Sequence, residues 1–538
     1  MHDTDVIIIG AGHNGLTAAA YLAAAGRRVT VLERRAVVGG ACVSEELAPG
    51  YKASTCSYLV SLLAPDIIRD LDLARYGYRM IPRDPASFTP LDDGRYLMLG
   101  RDSATNQREI SKFSRRDAEA YPRYEAFLTR VAEALEPILD NPVPALLPLP
   151  QSWRRQPLGR RISDLLGTLR LRRALAKLGA DQPAAMRLLL DSAQQVLDRW
   201  FESDVLKATL ATDGVIGAMA APSTPGTGYV LLHHVMGHAG GTRGVWGYAA
   251  GGMGAISQAL AASAAQRGVE IHTQTSVAQI EHQAGRVTGV RLADGRVLKA
   301  PIVMSNATPQ VTFGQLLTPN ALPDGFNQAV AAIDYSSASA KINLAVSRLP
   351  DFSACPGSDQ PGPQHRGTIH IGPSMDALER AYDAAKYGQF SPHPLIEMTI
   401  PSALDDSLAP AGHHIVQLFV QYAPYSLRDA DWSSQRDRFA DTCLAEIDRY
   451  APGFSQHVLH RQVLTPLDLE REFALTGGNI FHGAMTPSQL LSLRPVPGWA
   501  DHRSPLQGLY LCGAGAHPGG GVSGLPGRNA ARAVMRDA

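Results

Sequence analysis

Four consecutive β-branched apolar residues, Val6-Ile7-Ile8-Ile9, form the first strong pattern in the chain. A short apolar run without polar alternation predicts a strand covered on both faces, as in a parallel sheet. It leads directly into Gly10-Ala11-Gly12-His13-Asn14-Gly15. An alanine-rich stretch of strong helix propensity follows, Leu16 to Ala25, and Gly26 closes it as a C-cap. Val29-Thr30-Val31-Leu32 is a second such strand, ending in Glu33. The N-terminal stretch is therefore a complete β-α-β unit.

From about residue 80 the periodicity becomes irregular, and residues 105–210 are mostly helical in pattern, with a proline-rich interruption at Pro142 to Pro150. Residues 211–245 cluster Gly, Pro and His, and Tyr229 to His238 carries no clear helical pattern. The α/β character then returns: Met253 to Arg267 predicts a helix and Val269 to His272 a strand. Val277 to Glu281, Val287 to Leu292 and Val297 to Met304 predict a meander turning at Ala293-Asp294-Gly295. Residues 311–500 are mixed, with apolar strands such as Ile415 to Val420, and Leu509 to Cys512 is a last buried strand before glycines and a helix. These patterns predict an α/β domain assembled from residues 1–80, 246–310 and 500–538. A mixed α+β domain is expected from 81–245 and 311–499, with a helical subdomain around 105–210.

A chain of 538 residues that is 45% hydrophobic is ample for two such domains. Lys+Arg and Asp+Glu are 50 each, so net charge gives no argument for nucleic-acid binding. Cys42, Cys56, Cys355, Cys443 and Cys512 form no C-x-x-C pair and no zinc-ligand spacing. Scattered thiols fit a reducing compartment and argue against a thiol–disulfide reductase. The acidic start and the lack of a long apolar run predict a cytoplasmic protein. Peripheral membrane contact and self-association stay open. A basic stretch, Arg154, Arg155, Arg160, Arg161, Arg170, Arg172, Arg173 and Lys177, is interleaved with Leu165, Leu166, Leu169, Leu171 and Leu175. It reads either as an amphipathic membrane-surface helix or as a solvated helix face.

The G-x-G-x-x-G at Gly10, Gly12 and Gly15 lies between a strand and a helix, with Glu33 ending the next strand. That is the context of a dinucleotide site: a tight turn, close backbone approach to a pyrophosphate, and a carboxylate for the ribose hydroxyls. The motif alone does not choose between NAD and FAD. Val38-Gly39-Gly40-Ala41, soon after the acid, is the pattern of large flavoproteins. The C-terminal run Cys512-Gly513-Ala514-Gly515-Ala516-His517-Pro518-Gly519-Gly520-Gly521-Val522 offers further backbone N–H groups to a phosphate or a flavin edge. A second nucleotide site at Gly251-Gly252-Met253-Gly254 lacks the third spaced glycine, so helix packing is expected there rather than nicotinamide binding.

The segments VIIIGAGHNGLTAAAYLAAAG, VLERRAVVGGACV and LYLCGAGAHPGGGVSGLPG resemble the phytoene-desaturase-like flavoproteins. Over nearly the whole chain, ATDGVIGAMAAPSTPGTGYVLLHHVMG, WGYAAGGMGAISQAL and LTGGNIFHGAM are similar to the pyridine nucleotide-disulphide oxidoreductase domain-containing protein two group. The resemblance implies a glutathione-reductase-type, Rossmann-like FAD domain with a separate substrate domain. It places Gly10, Gly12 and Gly15 at the FAD pyrophosphate, Glu33 at the ribose, and Gly40 and Ala41 along the dinucleotide. Val277 is expected at the adenine side, and Gly515 and Val522 at the ribityl chain or the ring. His13, Asn14, Arg34, Gly513 and Gly521 lie in the same segments and complete the candidate set. His13 and Cys512 leave open whether the flavin is covalently held.

Flavin carries the electrons, so the protein has to position substrate and supply any base. The catalytic candidates are His517, inside the flavin loop, His234, in the His233-His234 and His238 cluster, and His482. His234 and His238 share a helical spacing, but no third ligand is evident and no metal is expected. Trp246 and Tyr248 either wall the substrate slot or pack in the core. The expected activity is FAD-dependent dehydrogenation or desaturation at a C–C or C–N bond of a largely apolar small molecule. The alternatives are a flavin-dependent amine oxidase and an interaction protein with structural FAD.

Overall fold

In the computed structural model, Val6–Ile9 and Val29–Leu32 pair in parallel, with Val6 opposite Val29 and Ile9 opposite Leu32. The described residues are 4–141, 143, 158–239, 242–372 and 374–537. The 142–150 stretch (Val143 apart), Arg154, Arg155 and the side chains of Arg160, Arg161 and His238 lie outside them. The two strands belong to a five-stranded sheet ordered Glu270–His272, Val29–Leu32, Val6–Ile9, Ile302–Ser305, Leu509–Leu511. Every pairing in it is parallel. The sheet thus joins chain segments some 500 residues apart.

The unbroken apolar runs are explained by cover on both faces. Val6 and Ile8 pack with Val29 and Val31 against the helices His13–Ala24, Gly254–Gln266 and Leu525–Asp537. Ile7 and Ile9 point the other way, onto Ile280, Val287 and Val290 of the three-stranded meander and onto Phe313. Burying each such side chain stabilises by about 1.5–3 kcal/mol. One expectation is corrected here. Val297 to Met304 is two strands: Val297–Lys299 ends the meander and Ile302–Ser305 enters the parallel sheet. Pro301 lies between them, where a missing N–H and a fixed φ let the chain leave one sheet for the other.

A second sheet has seven strands in the order Val458–Leu464, Ser339–Val346, His414–Gln421, Leu395–Thr399, Thr368–Ile371, Ser87–Pro90, Tyr96–Leu99. It is antiparallel except between Thr368–Ile371 and Ser87–Pro90. One face is apolar: Ile342, Leu344, Val416 and Leu418 pack on Phe439, Cys443 and Ile447 of the Trp432–Asp448 helix. The period of two then sends Lys341, Asn343 and Gln417 to the opposite face, and all three are buried.

Helices fill much of 103–235, including Arg115–Leu139, Leu158–Ala176 and Asp204–Val215. Thr227–Val235 is helical too, against the sequence expectation, because its apolar residues are buried among neighbouring helices and tertiary packing decides. On Leu158–Ala176, Leu165, Leu166 and Leu169 are exposed beside the exposed Arg170, Arg172 and Arg173. Among the described residues no helix is long and apolar enough to cross a membrane.

Candidate active site

The site begins at the glycine turn. Gly10 has φ +93°, which L side chains avoid, and turns the chain from strand to helix. A Cβ on Gly15 would lie 2.3 Å from the Gly10 carbonyl oxygen, so only glycine lets the helix sit this close to the strand. The helix opens at Gly12 with no side-chain cap, leaving its first N–H groups to a ligand. Glu33 is buried, and its carboxylate accepts from the backbone N–H of Ala11 at 2.8 Å and of Arg35 at 2.9 Å. The same carboxylate thereby holds the turn against the end of the second strand.

These groups face a cavity of about 410 Å³. Of the candidate cofactor residues, Gly10, Gly12, His13, Asn14, Glu33, Arg34, Gly40, Ala41, Val277, Gly521 and Val522 line it. Gly15, Gly513 and Gly515 do not; they serve packing. A Cβ on Gly513 would meet the Asn306 carbonyl oxygen at 2.6 Å, and one on Gly515 would meet Pro309 at 2.4 Å. Asn14 Oδ1, His13 Nε2 and His482 Nδ1 are buried without a hydrogen-bond partner. Free helix N–H groups, a buried carboxylate and orphaned polar atoms around one elongated set of segments fit a dinucleotide. At Gly251 to Gly254, by contrast, backbone N–H groups are taken by Asp405, Ser54 and Ser44 side chains at 2.7, 3.0 and 2.9 Å.

A second cavity, of about 380 Å³, adjoins the first. Ser57, Tyr58, Ile480, Phe481, Gly521 and Val522 line both. The polar face of the seven-stranded sheet floors them. His370 is paired with Glu397, Glu397 with Phe419, and Phe419 with Lys341, so one cross-strand row runs from the second cavity to the first. Burial pushes the Lys341 ammonium down to about 7, and its Nζ donates to Asn343 Oδ1 at 2.6 Å. Burial pushes Asp213 and Glu397 up to about 7, with Arg83 opposing in both cases. Tyr58 donates its hydroxyl to Glu397 Oε2 at 2.8 Å. Arg83 donates to Thr368 Oγ1 at 2.7 Å.

The three candidate histidines separate. His482 lines the first cavity, and burial pushes it down to about 3, so it is neutral. His234 lines the second cavity, with Nδ1 donating to the Val230 carbonyl at 2.9 Å and its ring stacked on Trp246. Trp246 lines that cavity as well, whereas Tyr248 lines neither. His517 reaches neither cavity: its Nε2 donates to the Ile138 carbonyl at 3.0 Å, capping the end of the Arg115–Leu139 helix. Cys512 is likewise buried outside both cavities. His233 stands at the junction instead, lining the second cavity beside Gly521 with both ring nitrogens unpartnered. Sequence reasoning missed Tyr58, Arg83, Asp213, Asn306, Lys341 and Glu397. The one local signal was a lysine and a glutamate inside mostly apolar strands.

A family model described as flavin containing amine oxidoreductase matches residues 15–535. The chain belongs to this family. It is 50% identical to pyridine nucleotide-disulfide oxidoreductase domain-containing protein 2 of Mus musculus, over 99% of this chain and 93% of that one. It is 28% identical to a lycopene-forming phytoene desaturase of Pseudescherichia vulneris, over 96% of each chain. A solved oxidoreductase from Methanosarcina mazei shares the fold, with a TM-score of 0.60 at 17% identity over 99% of this chain and 100% of that one. As a member of the flavin containing amine oxidoreductase family, the protein is an FAD-dependent oxidoreductase with a Rossmann-like FAD-binding fold. FAD supplies the two-electron acceptor. The glycine turn and Glu33 are the groups that would hold it in the first cavity.

Proposed function

We propose that the protein dehydrogenates a small organic molecule held in the second cavity, at a C–C or C–N bond presented to the wall shared with the first. One observation carries this reading: two cavities of ligand size meet at Tyr58, Phe481, Gly521 and Val522, one built from the dinucleotide motif and the other from the second sheet and the helices. Leu62, Leu128, Leu231 and Trp246 give the second cavity an apolar wall, and Arg83, Asp213 and Glu397 give it a charged end. That combination favours a largely apolar substrate with one polar or ionisable group. The exposed leucines and arginines of Leu158–Ala176 support peripheral contact with an anionic membrane, from which such a substrate would be drawn.

The test is spectral. The purified protein is expected to show a flavin spectrum and to be bleached anaerobically by one class from a panel of polyenes, retinoids, cyclic amines and acyl compounds. Release of the flavin by acid distinguishes non-covalent from covalent attachment. A flavin that no compound bleaches would favour structural FAD and count against dehydrogenation.

A further inference from the structure

We propose that Glu397 is the base that takes the proton released when the substrate is oxidised, with Asp213 sharing that proton and Tyr58 holding the carboxylate at the shared wall. The inference rests on the dehydrogenase reading. The flavin, when bound, accepts the hydride. The second hydrogen leaves the neighbouring carbon or nitrogen as a proton: its bond pair becomes the new π bond, and the proton passes to a carboxylate oxygen of Glu397. One hydride and one proton leave the substrate, one acid is formed, and the charges balance.

Geometry singles Glu397 out. It is nine-tenths buried and lines the substrate cavity. Its only hydrogen bond among the described residues comes from Tyr58 to Oε2, which leaves Oε1 without a partner. Tyr58 itself lines both cavities, so the bond ties Glu397 to the boundary where oxidation would occur. Asp213 lines the same cavity, and its carboxylate accepts no hydrogen bond from a described residue. Buried carboxylates with unused acceptor capacity are uncommon and call for a proton or a ligand.

The surrounding charges say which. Of the two arginines that line the cavity among the described residues, Arg243 is paired with Glu136 at 2.7 Å and Arg83 acts on both carboxyl groups, while burial holds His234 and His370 below the usual imidazole range. Glu125, from the Arg115–Leu139 helix, is itself raised by burial and adds no positive charge. Glu125, Asp213 and Glu397 therefore outnumber the one arginine left to them, and a proton held by Asp213 or Glu397 reduces that excess of negative charge. A carboxyl group titrating near 7 accepts a proton at neutral pH and releases it again, which is what a base needs between turnovers.

Two measurements test the assignment. Infrared spectra of the flavin-loaded protein, recorded from acid to alkaline pH, should show a protonated-carboxyl band titrating near 7. E397Q and D213N should each remove or shift that band; a band unchanged in both variants overturns the proposal. The second measurement is the anaerobic bleaching rate with whichever panel compound reduces the wild type. In the wild type this rate should rise with pH through about 7 and then level. E397Q should lose about 10²–10⁴-fold and the pH-dependent rise. Y58F, which removes the hydrogen bond that favours the ionised form, should move the midpoint upward. E397Q bleaching at the wild-type rate with the wild-type profile overturns the base and leaves dehydrogenation standing. Failure of every compound to bleach the wild type counts against dehydrogenation, and the infrared arm then judges the carboxyl pair by itself.

Discussion

Glu33 shows how one side chain carries two duties. It lines the first cavity, where the dinucleotide motif calls for a ribose ligand, yet it also accepts from Ala11 and Arg35 and so fixes the glycine turn. Glu33→Ala is expected to cost about 1–3 kcal/mol of stability through the stranded N–H groups. It should also weaken FAD binding roughly tenfold to a hundredfold, as loss of a charged hydrogen-bond partner does. Fluorescence titration of apoprotein and a denaturant melt read the two effects separately. Glu33 and the glycines were legible in the sequence because their geometry is local: strand, turn and helix lie within about thirty residues. Arg83, Asp213, Lys341 and Glu397 were not, because elements far apart in the chain bring them together. His517 shows the converse. Its position in a glycine-rich loop suggested the ring of the flavin, but a helix end with an open carbonyl claimed it first.

At the scale of elements, Arg494 joins parts that have no regular pairing. It is fully buried, with no carboxylate among its hydrogen-bond partners, and burial lowers it to about 10. Its guanidinium donates to the carbonyls of Phe481, Gly483, Ala484, Gln489 and Ala514. Phe481 lies in the shared wall and Ala514 in the first cavity, so Arg494 sets the spacing between the C-terminal glycine loop and the wall shared by the two cavities. Arg494→Met strands several buried carbonyls and should cost at least ~3 kcal/mol. Flavin retention on gel filtration should fall with it, while Arg494→Lys, which keeps some donors, should fall between. Nothing in the sequence marked this residue, since carbonyl partners leave no side-chain signature. The strands and helices with strong periodicity were legible. The Thr227–Val235 helix and the break at Pro301 depended on packing partners that a local pattern does not contain.

At the scale of the molecule, buried titratable groups set the pH range of stability. Burial lowers His370 and His517 to about 3 and His502 to about 4. Below about 6.5 these imidazoles take up protons only on unfolding, so stability falls as pH falls, by up to ~1.4 kcal/mol per pH unit for each group. Asp213 and Glu397 run the other way: their raised values mean stability is lost as pH rises toward about 7. His482, also lowered to about 3, joins the acid-labile side. Thermal melts should therefore drop steeply on the acid limb, while Lys341, lowered to about 7, takes up its proton only on unfolding and extends the gain in stability above neutrality. Asp213→Asn should remove part of the loss approaching pH 7 and leave the acid limb in place.

The parallel sheet has a consequence during synthesis. Its last strand, Leu509–Leu511, pairs with Ile302–Ser305, and the Leu525–Asp537 helix packs on the His13–Ala24 helix, where Gly527 admits the Asn14 carbonyl. A nascent chain emerging from the ribosome holds its first apolar strands long before the segments that cover one edge and one face of them have been made. Until that tail emerges, Leu16, Leu22 and the open edge of Ile302–Ser305 stay available to chaperones or to other chains. Loss of the Leu525–Asp537 helix through a late stop codon should thus yield an aggregation-prone product without flavin, although every described residue lining the two cavities has already been translated.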